Sequence, residues 1–104
     1  MVRQLDVYRH PQASRGGVFP YLVVLQHDRV PPQAGEVLAA PLAPRDRTTA
    51  ERLLPVVDVE GRRYQLLVPM MRRVSVDRLE TPLFTLLDSR DRIIAAIDVL
   101  FAGS

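Results

Sequence analysis

The chain contains no cysteine, which excludes disulfides, thiolate metal sites and a cysteine nucleophile together. Lysine and asparagine are missing as well, so all 14 cationic side chains are arginine, set against 12 carboxylates for a net charge of +2. The pI near 9.7 therefore reflects arginine's very high pKa and not a large positive excess. A stand-alone nucleic-acid binder concentrates its charge more than this. The missing lysine and asparagine read as the codon bias of a GC-rich genome. No apolar run approaches the roughly 20 residues that span a bilayer. The opening residues Met1 to Asp6 lack the apolar core of a signal peptide, so a cytoplasmic location is expected, without a membrane partner. There is no glycine-rich phosphate loop, no HExxH and no serine elbow, so neither a cofactor nor an enzymatic activity is expected.

What is present is an ordinary globular composition, 47% hydrophobic and 25% charged over 104 residues, enough for one domain covering residues 1–104. Leu5 and Val7 alternate with polar neighbours and predict a first strand over 4–9. Pro11 to Gly17 reads as a loop, and Val18 to Leu25 as a second strand in which Pro20 demands an edge or a bulge. The loop from His27 to Gly35 precedes a third strand, Glu36 to Leu42, which runs into Pro41. Thr48 to Leu53 has room for one helical turn. Leu54–Val59 and Arg63–Val68 flank Glu60-Gly61, the strongest hairpin signal in the chain, with Gly61 free to take a positive φ. Val74, Val76 and Leu79 predict another short strand, and Thr81-Pro82 breaks the chain before the apolar stretch Leu83–Leu87.

The last sixteen residues carry the clearest pattern. Ile93, Ile94, Ile97, Leu100 and Phe101 fall on one helical stripe. Ser89 is placed to cap the start, Asp91 to complement the dipole and Gly103 to close the end. The stripe is expected to be core or dimer contact, Phe101 included. Short strands at regular spacing and one late helix give a mainly β fold with a C-terminal α-helix, a small antiparallel barrel or curled sheet.

Several side chains bear chemistry but have plainer explanations. His10 and His27 lie at strand ends; they lack a third metal ligand and a nearby nucleophile, and read as solvated loop residues. Arg62-Arg63, Arg72-Arg73 and Arg45 with Arg47 can grip phosphates or an acidic peptide, but also suit the charged outer face of a sheet. Met70-Met71 suits core filling better than an adaptable interface.

Segment by segment the chain resembles the CcdB family of bacterial toxins. Leu53-Leu54-Pro55-Val56-Val57-Asp58-Val59 stands where that family has a segment like LYPVVHI, and Ala95 to Ser104 where it has one like NAINLMFWGI. Val7-Tyr8, Gln26-His27-Asp28 and Pro41-Leu42-Ala43 match in the same order. The resemblance implies an SH3-like barrel of the CcdB/MazF-Kid superfamily, assembled as a homodimer. It implies a toxin that inserts into the A subunits of DNA gyrase and traps the enzyme with its DNA cut. A cognate antitoxin, through a disordered C-terminal segment, would neutralise it; both together would repress their own promoter, with DNA held only through the antitoxin, in a plasmid-maintenance type of module. Carried over by position, the gyrase-facing residues are Arg29, Asp98, Ala102, Gly103 and Ser104. Only Gly103 keeps the family type. The family ends in Trp-Gly-Ile where this chain has Ala102-Gly103-Ser104, Arg29 replaces an isoleucine and Asp98 an asparagine-like position. Weak or absent gyrase poisoning is the resulting expectation. Two other readings stay open: a degenerate relative that keeps antitoxin binding alone, and a MazF/Kid-like ribonuclease recruiting His10, His27 or an arginine.

Overall fold

A nine-residue, glycine-free strand, Glu36–Pro44, is the member on which the rest of the sheet is laid. The computed structural model describes residues 2–13, 17, 19–45 and 53–103. Among these, seven antiparallel strands form one sheet: β1 (Asp6–Arg9), β2 (Tyr21–Val24), β3 (Glu36–Pro44), β4 (Val56–Val59), β5 (Arg62–Leu66), β6 (Arg72–Ser75) and β7 (Phe84–Thr85). Their order is β4-β5-β3-β2-β1-β7, with β6 also on β3. A 13-residue helix, α1 (Arg90–Ala102), follows. This is the expected mainly β architecture with a C-terminal helix. The proposed turn at Thr48 to Leu53 lies almost wholly outside the described residues, as do Val18, Asp46, Arg47 and Ser104.

β3 changes partner midway. Glu36 to Ala39 pair with β6 and Leu42 to Pro44 with β5, so Pro41 does not end the strand as a proline inside a ladder would be expected to. The Leu25 N–H donates to the Leu38 carbonyl at 2.9 Å, and the alternation of an antiparallel ladder then puts Leu22 and Pro41 opposite each other at a non-hydrogen-bonded position. The imide nitrogen of Pro41 faces the gap where β6 has ended and β5 has not begun, the one place where a donor is not needed. Its carbonyl accepts the Leu67 N–H at 3.0 Å.

Both faces of the central strands are apolar. Val7, Val23, Ala40, Leu42, Val57, Tyr64 and Leu66 share one core with Ile93 and Ala96 of α1. Tyr8, Leu22, Val24, Val37, Ala39, Val74 and Leu79 form a second core on the opposite side. Adjacent residues on β1, β2 and β3 fall in different cores, as a two-residue period requires. That explains why Leu22 to Leu25 is a continuous apolar run. The sheet curls: the Tyr21 ring on β2 meets Phe84 on β7 edge to face at 5.8 Å, although strands two apart in a flat sheet stand roughly 10 Å from each other. β1 begins at Asp6 and not at Gln4 because Leu5 is left-handed, at φ +69. Strain of about 1–3 kcal/mol is typical of such a residue; here the backbone is held on both sides, Leu5 N–H donating to Val24 O and Leu5 O accepting from Leu86 N–H, while the side chain is fully buried.

Candidate functional site

α1 is laid across the first core by Ile93 and Ala96, the two buried residues of the helix, and it packs over the 3-10 turn Val68–Met70. Ile97 is partly buried against the same core. Beyond it the helix outruns the sheet. Leu100 is 36% exposed and Phe101 72% exposed, which takes Phe101 out of the core of its own chain and leaves dimer contact as the other half of the expectation. The periodicity that placed it there is real, but a stripe is buried only as far as there is something to pack on. Met70-Met71 splits in the same way: Met71 packs on the core, whereas Met70 is half exposed.

The helix ends are built differently from each other. Ser89 occupies the N-cap position but makes no side-chain cap bond; its Oγ accepts instead from Arg92 Nη2 at 3.1 Å, and a 3-10 turn, Leu87–Ser89, leads into the helix in place of a cap. Asp91 is in the first turn, where a carboxylate complements the dipole. At the other end Gly103 turns left-handed, φ +76, with its N–H still donating to Val99 O at 3.0 Å. The C-terminal glycine does what the sequence asks of it.

Of the five positions carried over from the family resemblance, the structure brings three together. Asp98 and Ala102 are exposed and one turn apart, on the outward stripe that also holds Asp91 and Ala95, and Gly103 follows directly. Phe101 lies about 100° round the helix axis from Ala102. Ser104 lies outside the described residues.

Arg29 is on another element, the exposed loop between β2 and β3. Its N–H donates to His27 Nδ1 at 3.0 Å. Asp28 accepts the Gln4 N–H at 2.7 Å and faces Arg3 Nε at 3.7 Å. Gln26 braces the loop from inside, with Nε2 donating to Val30 O and Pro31 O and Oε1 accepting the Leu38 N–H. The polar ties of this loop thus run to the N-terminal segment and to β3. Gln26 was legible only as part of a family-like tripeptide; no spacing rule marks it as a brace. The loop and Val2 border an apolar groove of about 500 Å³.

The remaining candidates sort by burial. His27 is exposed as expected, but His10 is buried, contrary to its reading as a solvated residue. Its Nδ1 accepts the Gln12 N–H at 3.1 Å, and burial first, with Arg72 second, pushes its pKa below the usual imidazole value. The two histidines sit after different strands and are not brought together as a metal pair; among the described residues no group of three potential ligands clusters. Arg63 faces Asp58 across the β4–β5 pair at 3.8 Å, and Arg62 lies 6.0 Å over the Tyr64 ring. Arg73 pairs with Glu36 at 3.0 Å. These arginines decorate the sheet's exposed side and edges. No helix among the described residues is long and apolar enough to cross a membrane.

No curated protein matches the chain. The family model described as CcdB protein matches residues 4–103, all of the sheet and helix described above, and the chain belongs to the CcdB family.

Proposed function

We propose that this protein is the toxin of a type II toxin–antitoxin module, one domain over residues 1–104 that assembles as a homodimer and acts by binding, without covalent chemistry of its own. Its target is the A subunit of DNA gyrase, which it holds with the DNA cut. A cognate antitoxin neutralises it by folding a disordered C-terminal segment onto it, and the two together repress their own promoter. Membership of the CcdB family supports the toxin reading. The observation that carries the gyrase reading is the free end of α1, where Leu100, Phe101, Ala102 and Gly103 all reach solvent past the edge of the core. Exposed aromatic and aliphatic side chains at a protruding end are the type of anchor on which a small interface depends. Half-exposed Met70, beside α1, together with Leu100 extends the apolar surface in a way that supports a dimer.

The experiment is a gyrase cleavage-complex assay with the enzyme of the source organism, repeated after adding the protein encoded immediately upstream. Stabilised cleavage that the second protein relieves is the expected result. Binding of that protein with no effect on gyrase would favour the second reading, a degenerate relative that keeps only its antitoxin, for which the bare methyl of Ala102 on the outward stripe is the supporting observation.

A further inference from the structure

Buried His10 and exposed Arg72 open into one groove, of which the toxin reading uses only Met70. It measures about 300 Å³ and is floored by Leu22 and Pro41 and walled by Phe19 and by Met70, the last in the 3-10 turn on which α1 packs. His10, just after β1, and Arg72, at the start of β6, both line it, and among the described residues no carboxylate does. The protonation of His10 follows from its contacts. Nδ1 accepts a backbone N–H, so the proton of the neutral ring is on Nε2, which is a donor. No buried side-chain nitrogen or oxygen goes unpaired among the described residues. Nε2 has no partner among them, and His10 is one of the residues that line the groove. Burial and the nearby Arg72 charge both hold the ring neutral.

Arg72 is exposed, and among the described residues no acid pairs with it. Its neighbour Arg73 differs, being held by Glu36 Oε1 at 3.0 Å and by the Gln33 carbonyl. A fork of guanidinium donors beside a fixed N–H donor, with no anion to satisfy either, matches an oxyanion. Besides Gln12 and Gly17 the remaining walls are Phe19, Leu22, Pro41 and Met70, so a flat or apolar body next to the charge fits most of the groove. A carboxylate side chain would leave most of 300 Å³ empty. A mononucleotide is of the right size, and aromatic side chains and arginine planes are the usual platforms for a base.

We propose that this groove is a nucleotide-binding site, with the phosphate held between the Arg72 guanidinium and His10 Nε2–H and the base laid against Phe19. It goes beyond gyrase poisoning and does not depend on it, since no residue of α1 lines the groove.

The test is a titration of the full chain with uridine monophosphate, followed through the imidazole resonances of both histidines by NMR. Uridine is the probe without phosphate and inorganic phosphate the probe without base. Saturable shifts of the His10 resonances are expected, with exposed His27 as the unmoved internal control. Uridine and phosphate alone should each bind at least about tenfold more weakly than the monophosphate, and Arg72→Gln should weaken the monophosphate by about tenfold or more. His10→Gln risks the fold, so Arg72→Gln and Phe19→Ala carry the test, with thermal melts confirming that they are folded. Parallel shifts at His10 and His27, or an affinity that Arg72→Gln leaves unchanged, would overturn the site. Inorganic phosphate binding as tightly as the monophosphate would overturn the nucleotide assignment.

Discussion

Tyr21 and Tyr64 meet edge to face, centroids 5.6 Å apart and planes at 78°, although β3 lies between their strands. The contact exists because the sheet curls, and it closes the inner core on that side. Tyr64 is buried, so Tyr64→Ala should lower stability by about 3–5 kcal/mol, the usual range for removing a buried aromatic ring. Tyr64→Phe keeps ring and packing and should stay within about 1.5 kcal/mol of the parent. Urea denaturation of the two variants measures both. A loss under about 1 kcal/mol for Tyr64→Ala would mean that the ring is not part of the core.

The helix gives a sharper comparison. Ile93 is fully buried and Ile97 only partly, so an aspartate at each should not be equivalent. Ile93→Asp should abolish folding or cost about 4 kcal/mol or more through an unpaired buried charge. Ile97→Asp should be milder, because its carboxylate can turn to water. Equal melting temperatures for the two variants would show that the helix does not turn its Ile93 and Ala96 face to the core.

The β4–β5 hairpin places Glu60 at φ +52 and Gly61 at φ +79, the pair of left-handed residues of a type I′ turn. A side chain in this region costs roughly 1–2 kcal/mol, and Gly61→Ala should destabilise by about that much. Glu60→Asn should stabilise by a few tenths up to about 1 kcal/mol, because asparagine tolerates this conformation better than glutamate. Chemical denaturation reads both signs, and a gain from Gly61→Ala would contradict the turn type.

This hairpin also shows why parts of the chain were legible in the sequence. Glu60-Gly61 between two apolar runs is a local signal, and Gly103 at the helix end is another; each needs only its neighbours. The third strand was expected over Glu36 to Leu42, running into Pro41, and its extension to Pro44 depends on two other strands changing places beside that proline. The same holds for Phe101. Its spacing is that of a core residue, but exposure is decided by where the sheet ends, which no helical period contains. His10 failed for the opposite reason: a polar residue in a loop was assigned to solvent, whereas the Gln12 N–H supplies the one partner that lets it be buried.

His10 also sets a pH dependence. Its folded-state pKa is lowered from 6.5, first by burial and then by Arg72, the charged group that acts on it. The unfolded chain therefore binds the proton more readily than the folded one. The stability it contributes is fully present above the unfolded value of 6.5 and is lost as pH falls through the lower folded value. Melting temperature should drop from pH 7.5 towards about pH 5, and the drop should be smaller in His10→Gln at its own lower stability. An unchanged slope in that variant would remove His10 as the cause.

The proposed gyrase contact at the end of α1 needs an anchor residue. The family places an aromatic ring at the position of Ala102 and an apolar side chain at that of Ser104. With both missing, weak poisoning was the expectation, and Phe101 was read as core or dimer contact. Phe101 is 72% exposed, so it is not part of the core of its own chain. Its ring stands one residue earlier and about 100° round the axis, and it offers the apolar and π surface that Ala102 lacks. Stacking and burial of such an anchor are worth about 2 kcal/mol or more in a small interface, a factor of about thirty in affinity. Phe101→Ala should therefore reduce stabilised gyrase cleavage by about tenfold or more, with the source organism's enzyme. Its thermal melt should match the parent's, because so little of the ring is buried. Ala102→Trp with Ser104→Ile should raise poisoning of gyrases that tolerate the usual Trp-Gly-Ile end, whatever the state of position 101. If Phe101→Ala poisons as strongly as the parent, the ring is not the anchor. If in addition only the double variant poisons at all, the parent has lost the activity, and the missing Trp-Gly-Ile end is the reason.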